Sequence, residues 1–150
     1  MISHTVDVSL RQALDSDANA IRKLLEESNL PTESLGRNTT EFFVAESAGT
    51  VVGIAGFEFY GEDALLRSVA IRADVRNSGI GSRLVDWMID QAKERGIEKI
   101  VLLTETARKF FERKGFAVVD RSTIVNNAMT ASSEFTDACP TSATCMMLRL

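Results

Sequence analysis

A chain of 150 residues that is 45% hydrophobic can fill one core but is too short for two comfortable domains, so a single domain over residues 1–150 is expected. With 17 basic against 21 acidic residues, a formal charge of -4 and no basic tail, the chain lacks the electrostatic footprint of a nucleic-acid binder. The opening MISHTVDVSLRQ has neither the basic segment nor the apolar run of a signal peptide, and no later run is long enough for a membrane span; a cytoplasmic protein without nucleic-acid or membrane partners follows as the expectation.

In chain order, Val6 to Ala13 alternates as a strand, and Asp15 or Asp17 can cap the helix whose apolar face is Ala18, Ile21, Leu24, Leu25 and Ser28. Pro31 breaks it, and residues 31–40 read as a loop or short helix placed where a substrate lid would lie. Phe42 to Ser47, Val51 to Glu58 and Ala64 to Ile71, joined by AGT and YGED, read as a three-stranded antiparallel meander. The period then changes: Leu84, Val85, Met88 and Ala92 share one face of a helix from Gly81 to Arg95 that Gly96 stops. EKIVLLT gives a strand, TARKFFERK a short helix and GFAVVD another strand. Residues 122–138 form an excursion before TCMMLRL returns as an edge strand. A helix between the strands at Ile71 and Lys99 makes those two parallel neighbours. The fold class is α/β, a mixed β-sheet flanked by helices.

The stretch Arg76 to Gly81, RNSGIG, stands between a strand and that helix. A P-loop would need Lys and then Ser or Thr after its last glycine, where this chain has Ser82 and Arg83. A dinucleotide fingerprint would need a third glycine, and RADVRNS separates the strand from the pair. What remains is a loop of small residues that exposes amide hydrogens at a helix N-terminus, a place that favours anions. Gly79 and Gly81 are expected to let a pyrophosphate approach the backbone, which a side chain would obstruct.

LLRSVAIRADVRNSGIGSRLVDWMIDQAKERG, with KIVLLT and TARKFFERKGF downstream, resembles the core of the GNAT superfamily of acyl-coenzyme A dependent N-acyltransferases. ALLRS, LLTETARKFFERKGFAVVDR and EFTDACPTSATCMML further resemble the branch that holds amino-acid N-acetyltransferases and acetyltransferases encoded with arsenic-resistance functions. The resemblance implies a single-domain GNAT fold and acetyl-CoA as the acyl-donor substrate. Backbone groups of Val69 and Ile71 would receive the pantetheine arm between strands splayed at their carboxyl ends. Arg76, Asn77, Ser78, Gly79, Ile80, Gly81 and Ser82 would form the diphosphate cradle. Direct attack by an amine in a ternary complex is implied, with the donor carbonyl near the Ile71 amide and a homodimer through the C-terminal region.

An ammonium must lose a proton before it attacks. Glu58 is the first candidate base, its competing reading being a solvated strand-end carboxylate; Glu105 is the second, its alternatives being helix capping or simple exposure. Many relatives carry Tyr four residues before the glycine of the terminal GF, where this chain has Phe111, a ring that can pack on the cofactor arm but donates no proton. Tyr60, Ser68, Thr104 or water would protonate the departing thiolate, with Tyr60 favoured. Arg67 and Arg37 are candidate partners for an acceptor carboxylate, Arg67 otherwise facing outward. Phe110, Phe111 and Phe116 read mainly as core. His4, the only imidazole, reads as incidental, and Cys139 and Cys145 supply too few ligands for a zinc site, so no metal is expected. Three classes remain: an N-acetyltransferase for a small amine such as an amino acid, an acetyl-CoA sensor with little turnover, and a peptide or protein N-acetyltransferase.

Overall fold

The computed structural model describes residues 7–33, 35, 39–138 and 142–150. Among these, the strands are β1 (Ser9–Gln12), β2 (Glu41–Ser47), β3 (Thr50–Tyr60), β4 (Asp63–Ile71), β5 (Lys99–Thr104), β6 (Ala117–Val118) and β7 (Thr144–Arg149). The α-helices are α1 (Ala18–Glu27), α2 (Ile80–Glu94), α3 (Arg108–Arg113) and α4 (Asn127–Thr130). The hydrogen-bonded order is β1-β2-β3-β4-β5-β7-β6. The sheet is mixed: β1–β2 and β2–β3 are antiparallel, β4–β5 parallel, and β7 antiparallel to both β5 and β6. Two compact units are distinguished along it.

The first unit holds the described residues up to Phe57 together with Ser68–Gln91. Ile21, Leu24 and Leu25, at helical spacing on α1, bury against Phe42, Val44, Ile54 and Ala70. Asn29, in the left-handed region at φ 56, ends the helix, and the Leu30 amide donates to the Leu25 carbonyl. Asp17 does not cap α1 with its side chain as expected. Its carboxylate instead accepts from the Leu14 amide and from both terminal nitrogens of Arg11. The β2–β3 hairpin turns at Ala48 and Gly49, both with positive φ (49 and 81), the backbone that matches the twist of a two-residue hairpin. Phe43 packs edge-on against Phe57 and Trp87, fixing α2 on the sheet within this unit. A buried ring of this size contributes about 2–3 kcal/mol.

The second unit holds Glu58–Arg67 and Ala92–Leu150. β4 and β5 pair in the register Asp63–Lys99, Ala64–Ile100 and Leu65–Val101. Residues 100 to 103 of β5 are all buried, the continuous apolar run of an interior strand. The expected edge strand at the C-terminus is instead an interior one: β7 has β5 on one side and β6 on the other. The reason lies in its apolar content, with Cys145 and Met146 buried. GFAVVD yields only the two exposed residues of β6, which occupy the edge. The excursion is ordered by caps: the Asp120 carboxylate accepts from the Ser122 amide, and Asn126 Oδ1 accepts from the Met129 amide at the head of α4. Met129 is fully buried with Leu65, Val101, Leu103 and Cys145, and the half-buried Ile124 and Phe135 pack against the same cluster, so apolar residues anchor this segment without any helical period. A π-helical turn, Glu134–Ala138, follows.

Candidate active site

In the first unit, the end of β4 leads into a 3-10 turn, Ala73–Val75, and then into α2. The Arg72 amide donates to the Val52 carbonyl at 2.8 Å, tying that exit to β3. Asn77 (φ 63) and Gly79 (φ 86) are both left-handed and flank Ser78, whose hydroxyl donates to the Val75 carbonyl. Arg83 is the first α2 amide to reach a carbonyl four residues back, that of Gly79 at 3.0 Å. The amides of Ile80 and Gly81 lie in the opening turn, where a helix leaves its donors to caps, water or an anion. No acidic residue stands in that turn.

The two glycines differ. A Cβ at Gly79 would meet nothing within 4 Å, which leaves open the space from which an anion would approach, and its φ of +86 adds a second demand for glycine. A Cβ at Gly81 would lie 3.5 Å from Ile71 Cγ1, in ordinary contact. A side chain at Gly81 is thus directed at Ile71 with room for a methyl group, and the geometry lends no support to the expected obstruction at that position. A third glycine, which sequence reasoning missed, supports the loop from below. A Cβ at Gly53 would come 2.8 Å from Ile71 Cδ1 and 3.4 Å from Ile80 Cγ2. Ile80, almost wholly buried, packs there with Ala45 and Val52. Arg76, exposed, donates from Nε to the Ile71 carbonyl at 3.0 Å and from Nη2 to Ser28 Oγ at 3.5 Å, so its guanidinium is folded back over the end of β4. Val69 and Ile71 are half-buried around the buried Ala70. Ser68, just before them, has a φ of 60, a backbone that costs a non-glycine residue about 1–2 kcal/mol and re-aims the strand there.

In the second unit, Glu58, Tyr60 and Arg67 come together. β3 continues two residues past Glu58, so that residue is interior to its strand and not a solvated strand end; it is 3% exposed. Arg67 does not face outward: it is 2% exposed. Its Nη1 donates to Glu58 Oε2 at 2.8 Å and to Ser133 Oγ at 3.2 Å, while Nη2 lies 3.5 Å from Glu134 Oε1. Tyr60 donates its phenol hydrogen to Glu58 Oε1. Burial, and then the hydrogen bond and charge of Glu58, raise the Tyr60 pKa well above that of an ordinary phenol. The Ser132 hydroxyl beside it pulls the other way, and its buried oxygen has no well-formed hydrogen bond. Asn126 Nδ2 donates to the Tyr60 carbonyl at 2.9 Å and to Asp63 Oδ2 at 3.1 Å, pinning the β3–β4 turn to the excursion. Ser133 and Glu134 were not legible as site residues, because their stretch carries neither period nor motif.

Other candidates fall elsewhere. Phe111 is buried with its ring 5.0 Å from Phe110 and 5.5 Å from Phe116, both edge-on, as part of an aromatic core in this unit. Glu105 is exposed, and the N-cap position of α3 falls on Ala107, whose amide donates to Thr104 Oγ1 at 3.0 Å. Cys145 is buried, which raises its thiol pKa. Arg37, His4 and Cys139 lie outside the described residues. Among the described residues no group of three or more His, Cys, Asp or Glu is arranged to hold a metal ion, and no helix is long and apolar enough to cross a membrane.

Comparison with known proteins shows the family and the fold. Residues 9–116 match the model of the acetyltransferase (GNAT) family. An uncharacterized N-acetyltransferase of Chlorobaculum tepidum is 30% identical over 123 residues, covering 77% of this chain and 79% of that protein. An amino-acid acetyltransferase of Vibrio atlanticus is 34% identical over 116 residues, which are 71% of this chain but only 26% of the relative. In structure, N-acetylglutamate synthase from Neisseria gonorrhoeae, complexed with coenzyme A and N-acetyl-glutamate, superposes with a TM-score of 0.82 at 22% identity, over 99% of this chain and 36% of that one. A Mycobacterium tuberculosis protein in complex with CoA and NLQ gives 0.78 at 24% identity, over 95% of this chain and 99% of that one. These likenesses show the single-domain fold of a mixed sheet flanked by helices. The chain belongs to the GNAT acetyltransferase family, whose general chemistry is acetyl-CoA-dependent transfer of an acetyl group to an amine.

Proposed function

We propose that the protein N-acetylates a small primary amine, amino acids and their analogues being the first class to test, with Glu58 as the base. The observation that carries this reading is the Glu58 carboxylate: buried, and held at one oxygen by Arg67 and at the other by Tyr60. A carboxylate fixed in this way suits proton transfer directly or through one water.

On this reading the amides of Asn77 to Ser82 bind the diphosphate of the acyl donor, with Gly79 supplying the open approach. The amine nitrogen forms the C–N bond at the thioester carbonyl carbon, the C–S bond breaks, and sulfur leaves with its electron pair. The ammonium sheds one proton to Glu58 before attack, and the second proton that nitrogen loses as the amide forms goes to water. Tyr60 serves better as the group that orients Glu58 than as the acid that protonates sulfur. Its pKa is raised, whereas a thiol titrates at about 8.5, so proton transfer from this phenol to a thiolate runs uphill. The proton held on Glu58, or water, is the more favourable source. Phe111, enclosed by Phe110 and Phe116, supplies none.

The test is thiol release from acetyl-CoA with purified protein and a panel of amino acids and amines, comparing wild type with Glu58→Gln. Loss of a catalytic base lowers kcat by about a hundredfold or more, with the acetyl-CoA KM little changed. Thiol release no faster than hydrolysis with every amine, alongside tight acetyl-CoA binding, would favour a sensor. An unchanged pH–rate profile in the variant would remove Glu58 from the base role.

A further inference from the structure

Gly53 lies in the strand backbone of β3 without a positive φ, so what calls for glycine there is space and not conformation. A Cβ at that position would stand 2.8 Å from Ile71 Cδ1, 3.4 Å from Ile80 Cγ2 and 3.5 Å from Ala45 Cβ. Ile80 is buried with Ala45 and Val52, and Ile71 packs against that cluster. The same Ile71 side chain faces Gly81, where a Cβ would lie 3.5 Å from its Cγ1 and 3.8 Å from its Cδ1. One isoleucine on β4 thus reaches two glycines, one on β3 and one in the first turn of α2. Its backbone is tethered: the Ile71 carbonyl accepts from Arg76 Nε at 3.0 Å, and the next amide, that of Arg72, donates to the Val52 carbonyl at 2.8 Å. With the backbone held, Ile71 answers crowding at position 53 by moving its δ-methyl, and the room for a methyl lies beside Gly81, against α2.

We infer that the Ile71 side chain is a spacer between β3 and the first turn of α2, and that Gly53 is a positioning residue for that turn. The space it leaves for Ile71 sets where the amides of Ile80 and Gly81 point, and through them the affinity for the acyl donor. The inference rests on the donor-binding half of the reading above and adds a residue that governs it from outside the loop. Gly53 acts only through Ile71 and Ile80, so a change at position 53 is undone by shortening Ile71.

The experiment compares wild type with Gly53→Ala and with the double variant Gly53→Ala/Ile71→Val, since valine lacks the δ-methyl that the new Cβ meets. Ile71→Ala removes the spacer without crowding and serves where Gly53→Ala does not fold. Ile21→Val, in the α1 core, controls for a general loss of stability. Hydrogen exchange by NMR on the ligand-free protein reads the Arg83 amide, which donates to the Gly79 carbonyl, relative to amides in the last turns of α2. Calorimetry reads the affinity for coenzyme A. Gly53→Ala is expected to quicken the relative exchange of Arg83 by about tenfold and to weaken coenzyme A binding by about tenfold. The double variant should recover most of both losses, Ile71→Ala should move both in the same direction as Gly53→Ala, and Ile21→Val should lower the melting temperature and move neither. No recovery in the double variant, or exchange unchanged in both Gly53→Ala and Ile71→Ala, would overturn the inference. Coenzyme A bound equally by wild type and these variants would overturn it too and leave the donor-binding reading standing. Exchange that quickens and recovers as expected, in a protein that binds no coenzyme A, would keep Gly53 as the positioning residue of the turn and defeat the donor-binding reading.

Discussion

Tyr60 donates its phenol hydrogen to Glu58 from two residues along the same strand, so both side chains leave the same face of β3 and move as one unit. Tyr60 is also the only tyrosine in the chain, which makes its ionisation directly readable. Burial is the first cause of its raised pKa and the Glu58 carboxylate the second. An absorbance titration near 295 nm should therefore show a single tyrosinate transition displaced above the ordinary value of 10.0. Glu58→Gln should bring it down part of the way, because the burial stays and the charge goes. The sign for stability follows: a raised folded pKa contributes stability that is fully present below pH 10 and lost as pH rises toward the folded value. A wild-type transition at the ordinary value would contradict the geometry.

Gly79 and Gly81 face different surroundings within one short loop, open space at the first and Ile71 at the second. Gly79→Ala places a methyl in the open approach and forces a left-handed alanine, at about 1 kcal/mol of stability. Acetyl-CoA affinity should fall by about tenfold or more, in a protein that remains folded, if the backbone amides there must reach a diphosphate. Gly81→Ala meets only Ile71 at ordinary contact distance and should leave affinity within about threefold of wild type. Isothermal titration with acetyl-CoA and a thermal melt on the same samples distinguish the two. Equal losses at both positions would show that the glycines act through helix packing alone.

The parts of this fold legible in the sequence are those written in a period or a motif. The face of Ile21, Leu24 and Leu25, the face of Leu84, Val85 and Met88, and the parallel pairing of the strands around α2 all follow from apolar spacing and a single crossover. RNSGIG was legible because a strand exit, a helix start and two small residues coincide. What failed depends on contacts distant in sequence. Arg67 reads as an outward residue in an alternating strand, since nothing local reveals that Glu134, 67 positions later, will reach it. Gly53 looks like any glycine in a strand until Ile71 and Ile80 are seen to fill the space above it. β7 reads as an edge because nothing local shows that the short β6 will cover its second side, and order in a sheet is set by such neighbours.

Arg11 offers a test of the first unit away from either cluster. From β1 it reaches Asp17 with two bonds, at 2.7 and 3.1 Å, and Glu46 on β2 at 2.6 Å. The Arg11 hydrogen bond is the main reason that the Asp17 pKa lies below the ordinary 3.8, with the Leu14 amide contributing against the cost of burial. Arg11→Met keeps the aliphatic reach and removes the charge, which should cost about 1–3 kcal/mol at pH 7, since Asp17 stays largely buried without its cation. A depressed folded pKa contributes stability that is fully present above the unfolded pKa and lost as pH falls through the folded one. The difference between wild type and variant in urea denaturation should therefore hold steady from pH 7 to about 5 and shrink below about 4. A difference that persisted unchanged to about pH 2 would mean that Arg11 stabilises the fold through its packing and through Glu46, with no share from Asp17 ionisation.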